Sequence, residues 1–92
     1  TIQKKLKHVK LYVQSIYPVF YDMNPLSVGK RKNKDILYIN EKIKNIKNIT
    51  YIDMDVILSD ENGNLNKLYT YDGLHISDLG YDVISEKLKQ YL

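Results

Sequence analysis

The chain has no cysteine and no tryptophan, and only two prolines, four glycines and one phenylalanine among its 92 residues. Without cysteine it can form neither a disulfide nor a thiolate metal site, which excludes the small oxidised scaffolds that replace a core with cross-links. No apolar run approaches the roughly 20 residues that a membrane-spanning helix needs. The opening residues, Thr-Ile-Gln-Lys-Lys, do not have the pattern of a signal peptide. There is no initiating methionine, as expected of a piece of a longer chain. The compartment therefore stays open: the reading leans to the cytoplasm, and secretion is compatible with it because a leader could precede Thr1.

What is present is ordinary for a globular domain: 43% hydrophobic and 27% charged residues argue against disorder and against a fibrous repeat. A chain of this length buries roughly 60–70% of its unfolded surface, enough for one small core. Fourteen Lys and Arg against eleven Asp and Glu leave a net charge of +3, and the excess is uneven. Lys4, Lys5, Lys7 and Lys10 crowd the start, while Lys30, Arg31, Lys32 and Lys34 form a second knot. Clustered cations can attract a polyanion. Here they lie on helix flanks and in a loop without the interleaved aromatics of a single-strand binder, so they read as solvated lysine faces and no nucleic-acid partner is expected. Asn48-Ile49-Thr50 is formally a glycosylation sequon, a tripeptide too common to decide anything.

Ile2, Leu6 and Val9 recur at helical spacing and predict the end of an amphipathic helix; His8, among its lysines, reads as a surface histidine. Residues 11–16 are β-branched and aromatic and stop at Tyr17-Pro18, which predicts a strand. Residues 18–33, with two prolines, Gly29 and the basic knot, predict a long loop. Asn33 is placed to cap a helix whose isoleucine face, Ile36, Ile39, Ile43 and Ile46, runs to about Asn48. Residues 49–54 predict a second strand at once. A strand, a helical crossover and a strand make a parallel βαβ unit. Asn62-Gly63 predicts a tight turn, and the acids around it do not fit a calcium loop, since counting back from Gly63 puts Leu58 where the first carboxylate belongs. Ser77 caps a last helix with Gly80, Ile84 and Leu88 on one stripe.

In an open parallel sheet, ligand sites collect beyond the carboxyl ends of the strands. Two loops qualify, residues 17–33 and 55–76, and the second holds Tyr71-Asp72-Gly73-Leu74-His75. A glycine-containing turn three residues long lets the Asp72 carboxylate reach Nδ1 of His75 and fix its tautomer. Nε2 is then free to take a proton from an alcohol. Alone, Asp-Gly-x-His is a weak signal, because Asp-Gly is a common turn and a histidine before a helix often only caps or packs.

The wider run from Tyr69 to Tyr81, Tyr-Thr-Tyr-Asp-Gly-Leu-His-Ile-Ser-Asp-Leu-Gly-Tyr, followed by an amphipathic helix, resembles the last conserved segment of SGNH/GDSL hydrolases. It is most similar to the branch of platelet-activating-factor acetylhydrolase-like acylhydrolases and bacterial carbohydrate esterases. Residues 12–19 resemble the penultimate strand of that branch and residues 49–53 its last strand, so the likeness spans nearly the whole chain. It implies an α/β class, with residues 1–92 forming the C-terminal β-α-β-α part of one flavodoxin-like three-layer α/β/α domain with a parallel sheet. Asp72 and His75 then complete a Ser-His-Asp triad that cleaves short, acetyl-like esters of a carbohydrate or small lipid through an acyl-serine intermediate, without a metal or an organic cofactor.

The family's nucleophile lies in a Gly-Asp-Ser segment, and further oxyanion donors in a glycine and a Gly-x-Asn-Asp segment; none of these occurs here. Ser15, Ser27, Ser59, Ser77 and Ser85 stand in neither a Gly-Asp-Ser nor a Gly-x-Ser-x-Gly setting. The fragment by itself is therefore expected to be inactive. Two parallel strands also leave unpaired edges, so an N-terminal half or a second copy is expected to complete the sheet. Pro18, Val19 and Phe20, after the first strand, are placed to line the acyl or leaving-group side. The alternative is a non-catalytic α/β binding or structural module in which Asp72 and His75 only stabilise a loop.

Overall fold

A computed structural model describes residues 11–91 of the chain. The predicted opening helix and His8 lie outside these residues. Two short strands, β1 (Tyr12–Gln14) and β2 (Thr50–Ile52), pair in parallel with Tyr12 opposite Thr50, Val13 opposite Tyr51 and Gln14 opposite Ile52. Between them lie a 3₁₀ turn (Tyr21–Met23), the short helix α1 (Pro25–Val28) and the crossover helix α2 (Asn33–Lys44). After β2 come α3 (Met54–Leu58), a second 3₁₀ turn (Lys67–Tyr69) and the last helix, α4 (Asp78–Lys89). The chain is thus of the α/β class with a parallel sheet, as the crossover length requires.

The strands are shorter than their β-rich runs because side chains take over the backbone bonding. Ser15 N–H still donates to the Ile52 carbonyl at 2.9 Å, but the Asn40 carboxamide pairs with both Ile16 N–H (2.7 Å) and Ile16 C=O (2.9 Å). Asn40, 4% exposed, thus occupies a position on α2 that the isoleucine spacing assigns to no role. Of the predicted isoleucine face only Ile36 is buried; Ile39 and Ile46 are exposed. The helix also stops earlier than predicted. The Asn45 side chain takes the Glu41 carbonyl, and Asn48, at φ 65°, turns the chain into β2.

The loop predicted over residues 18–33 contains α1, which Asn24 caps through its side chain and Pro25 starts. Residues 54–58, predicted only as an apolar stretch after β2, form α3. The reason is a shared cap: Ser15 Oγ accepts from Met54 N–H (2.9 Å) and Asp55 N–H (3.0 Å), and Asp53 accepts from Val56 N–H. The amides at this helix end are satisfied jointly by Asp53 beside it and by Ser15, the residue after β1.

The main core gathers Ile52, Met54, Leu58, Leu65, Ile76 and Ile84, with Leu88 and Tyr91 of the last helical segment packed against it. Each fully buried aliphatic side chain contributes roughly 1.5–3 kcal/mol. This core holds α4 under the loop that precedes it. A smaller cluster of Val19, Val28 and Ile36, joined by Leu74, ties the loop after β1 to the same region. No helix of the described residues is long and apolar enough to cross a membrane.

Candidate active site

The loop between the second 3₁₀ turn and α4 is closed by an isolated antiparallel bridge between Thr70 and Ile76. Inside it, the buried Thr70 hydroxyl donates to the His75 carbonyl at 2.6 Å and accepts from Gly73 N–H at 2.9 Å. Asp72 uses its two oxygens differently. Oδ1 accepts from the backbone N–H groups of Leu74 (2.9 Å) and His75 (2.7 Å), while Oδ2 lies 2.6 Å from Nδ1 of the His75 ring. One oxygen therefore shapes the turn and the other orients the imidazole.

The bond to the His75 ring, reinforced by the His75 and Leu74 backbone N–H groups, lowers the Asp72 pKa from 3.8 to about 2. The carboxylate is consequently ionised at neutral pH and only accepts, so in the neutral ring the proton belongs on Nδ1 and the lone pair on Nε2. The Asp72 side chain is 13% exposed and that of His75 60% exposed, which leaves Nε2 open to an incoming group. Tyr71 stacks on the ring, with centroids 5.7 Å apart and planes 8° from parallel.

Two glycines make this placement possible. Gly73 sits at φ 85°, its N–H bonded to Thr70 and its carbonyl accepting from Phe20 N–H at 2.8 Å; a Cβ there would lie 2.2 Å from the Phe20 carbonyl oxygen. Gly80 lets α4 approach so closely that a Cβ would lie 2.6 Å from the Tyr69 carbonyl oxygen. Ser77 caps α4 as predicted, its Oγ accepting from Gly80 N–H and donating to the Leu68 carbonyl.

The structure thus brings together Asp72 and His75 and assigns other work to the serines nearest the sheet edge. Ser15 is 3% exposed and committed to the α3 amides, and Ser77 to its cap. Among the described residues no serine hydroxyl bonds to His75. Pro18 and Val19 are buried and help line a cavity of about 330 Å³ that also touches Arg31 and Leu74. Phe20 packs instead against the main core, with Lys67 over its ring. Among the described residues no group of three or more His, Cys, Asp or Glu is placed to hold a metal ion.

Sequence reasoning missed Thr70 and Asn33. Asn33 is not the cap of α2 but its first residue, and its carboxamide clamps Val19 through both N–H and C=O at 2.8 Å while donating to Asn64 at 3.1 Å. Thr70 had a signal, since a hydroxyl two residues before an Asp-Gly turn is well placed to bond it. Asn33 had none, because its partner lies 14 residues away.

No family model matches the chain. Solved structures do. A Streptococcus pneumoniae protein described as a platelet activating factor matches 98% of this chain and 44% of its own length, at a TM-score of 0.88 and 28% identity. An acylhydrolase of Bacteroides fragilis matches at 0.72 and 25% identity, covering 98% of this chain and 45% of its own length. A GDSL-like lipase of Bacteroides thetaiotaomicron, at 0.73 and 23%, shares the fold, with 98% and 46% covered. The chain is thus similar in fold to GDSL-type acylhydrolases, consistent with the C-terminal part of an SGNH/GDSL hydrolase; it spans less than half the length of these structures. In sequence it is also 37% identical over 90 residues to an N-acylneuraminate cytidylyltransferase of Escherichia coli. That match covers 97% of this chain but only 20% of the other protein, so the activity in that protein's name does not pass to this chain.

Proposed function

We propose that the chain supplies the histidine and aspartate of a serine esterase that removes short acyl groups, acetyl-like in size, from a carbohydrate or small lipid. The observation that carries this reading is the 2.6 Å contact of His75 Nδ1 with Asp72 Oδ2 on a loop that leaves the His75 side chain 60% exposed. Structural likeness to acylhydrolases supports it in general terms.

In this mechanism a serine outside residues 1–92 delivers its proton to His75 Nε2 as its oxygen attacks the ester carbonyl. Asp72 holds the ring in the competent tautomer and stabilises the imidazolium that forms. Collapse of the tetrahedral intermediate expels the alcohol, which takes the proton from Nε2, and leaves an acyl-serine. Water activated by the same Nε2 then releases the acid. An N-terminal half of the domain or a second copy would complete the sheet. Pro18 and Val19 wall the substrate side through their cavity, and Phe20 holds that wall against the core.

The test uses the full-length protein and 4-nitrophenyl acetate. His75→Ala is expected to lower turnover on the order of 10³-fold or more, and a fluorophosphonate to label one serine in the unsubstituted enzyme. Turnover unchanged by the substitution removes His75 as the base, and an unlabelled protein removes the serine mechanism.

A further inference from the structure

The basic knot reads from sequence as a solvated lysine face; Lys30, Arg31 and Lys32 are indeed exposed, but they also share one cavity. They border a cavity of about 590 Å³ that is also lined by Val19, Tyr21, Asn33 and Asn64. Asp35 is the single acid in the lining, so the cavity carries an excess of two positive charges. None of the three cations makes a salt bridge among the described residues. The guanidinium of Arg31 is held by its own donation to the Val28 carbonyl at 3.0 Å, which keeps it at the cavity wall. Tyr21 and the carboxamides of Asn33 and Asn64 add neutral polar groups beside the cations.

This cavity adjoins the catalytic loop. It shares Val19 and Arg31 with the 330 Å³ cavity, and that cavity reaches Leu74, the residue before His75. Part of the lining is fixed: Asn33 clamps Val19, the next residue Phe20 donates to Gly73, and Gly73 lies in the Asp72–His75 turn. His75 must protonate the departing alcohol, so the alcohol portion of the ester belongs on the histidine side of the reacting carbonyl. A cationic cavity next to one that reaches the residue before His75 is matched to a negative charge on the alcohol portion.

We infer that the cavity bordered by Lys30, Arg31 and Lys32 is an anion-recognition subsite that takes a carboxylate or phosphate on the alcohol portion of the substrate. This rests on the esterase reading for its place in the reaction, but not for the binding itself. Lys30 and Lys32 attract the anion and Arg31 orients it, so the enzyme selects acylated sugar acids or sugar phosphates over neutral esters.

The experiment compares kcat/KM of the full-length enzyme for 4-acetoxybenzoate, 4-acetoxyphenyl phosphate and the neutral methyl 4-acetoxybenzoate. One anionic ester is expected to be preferred, and the larger preference tells carboxylate from phosphate. Lys30→Gln with Lys32→Gln is expected to lower the anionic-to-neutral ratio about tenfold, and Lys30→Arg with Lys32→Arg to restore it. A ratio near one, or one that the Gln pair leaves unchanged, overturns the subsite. In parallel, the product 4-hydroxybenzoate and inorganic phosphate are titrated into the His75→Ala protein while the Arg31 Nε–H and Asn33 amide resonances are followed. Saturable shifts for either probe that the Gln pair abolishes support the subsite even if no ester is turned over, which would sink the esterase reading alone; no saturable shift overturns it.

Discussion

The loop after β2 is held mainly by its own side chains, with distant ties at Asn64, Leu65 and Gly73, whereas residues 16–20 after β1 are held by residues distant in sequence. Between residues 59 and 77, Asp60, Asn66, Thr70, Asp72 and Ser77 each bond backbone groups no more than nine residues away. Between residues 16 and 20 the backbone is fixed by Asn40, 24 residues on, by Asn33, 14 residues on, and by Gly73. The turn that presents His75 is bonded mostly within itself, while residues 16–20 take their backbone partners from α2 and the Asp72 turn. The proposed chemistry thus sits on the more locally bonded loop, and the proposed wall of the substrate side on the more dependent one.

The two loops meet at Gly73, and substitution there has the largest expected effect. Gly73→Ala combines a left-handed φ with a Cβ 2.2 Å from the Phe20 carbonyl oxygen, so the bond from Phe20 to Gly73 is lost with the turn. A loss of about 3 kcal/mol or more in the full-length protein, read by chemical denaturation, is expected; a loss under about 1 kcal/mol would show that the contact yields easily.

Thr70→Val and Asn33→Ala separate the loops from each other. Thr70→Val strips the buried Gly73 N–H and His75 carbonyl of their partner, an expected cost of roughly 1–3 kcal/mol together with faster amide exchange at Gly73. Asn33→Ala unpairs Val19 at similar cost but is expected to leave the His75 ring resonances in place. If Asn33→Ala disturbs His75 as much as Thr70→Val does, the Asp72–His75 turn depends on the loop after β1 as much as on its own bonds. Ser77→Ala, which removes only the cap of α4, is expected to cost about 1 kcal/mol, read as a small fall in denaturation midpoint.

The smallest effect concerns acid. Because the folded pKa of Asp72 lies below its ordinary 3.8, its bonding stabilises the fold above that value and is lost as pH falls toward about 2. Wild type and Asp72→Asn are therefore expected to converge in stability between about pH 4 and pH 2. A constant gap across that interval would mean that protonating Asp72 does not break the turn.

The same contrast explains what could be read in the sequence. The parallel βαβ order, the Asn62-Gly63 turn, the cap at Ser77 and the Asp72–His75 approach all depend on residues close in sequence, where composition and spacing carry the information. What escaped, the Asn40 clamp, the Asn33 clamp and the Ser15 cap on α3, pairs side chains with backbone 14 to 40 residues away. An asparagine in a helical run carries no mark of such a partner. The isoleucine face misled for a related reason: spacing shows which residues share a face, not which part of that face is covered.

The central claim is that the Asp72 carboxylate fixes the His75 ring with its proton on Nδ1 and its lone pair on Nε2. Nitrogen-detected NMR of the full-length protein, with the imidazole isotopically labelled, measures this directly. A strongly downfield Nδ1–H proton and an unprotonated Nε2 are predicted for neutral His75, with that proton moved or lost in Asp72→Asn. A ring protonated on Nε2, or an Nδ1–H signal indifferent to Asp72→Asn, would contradict the account.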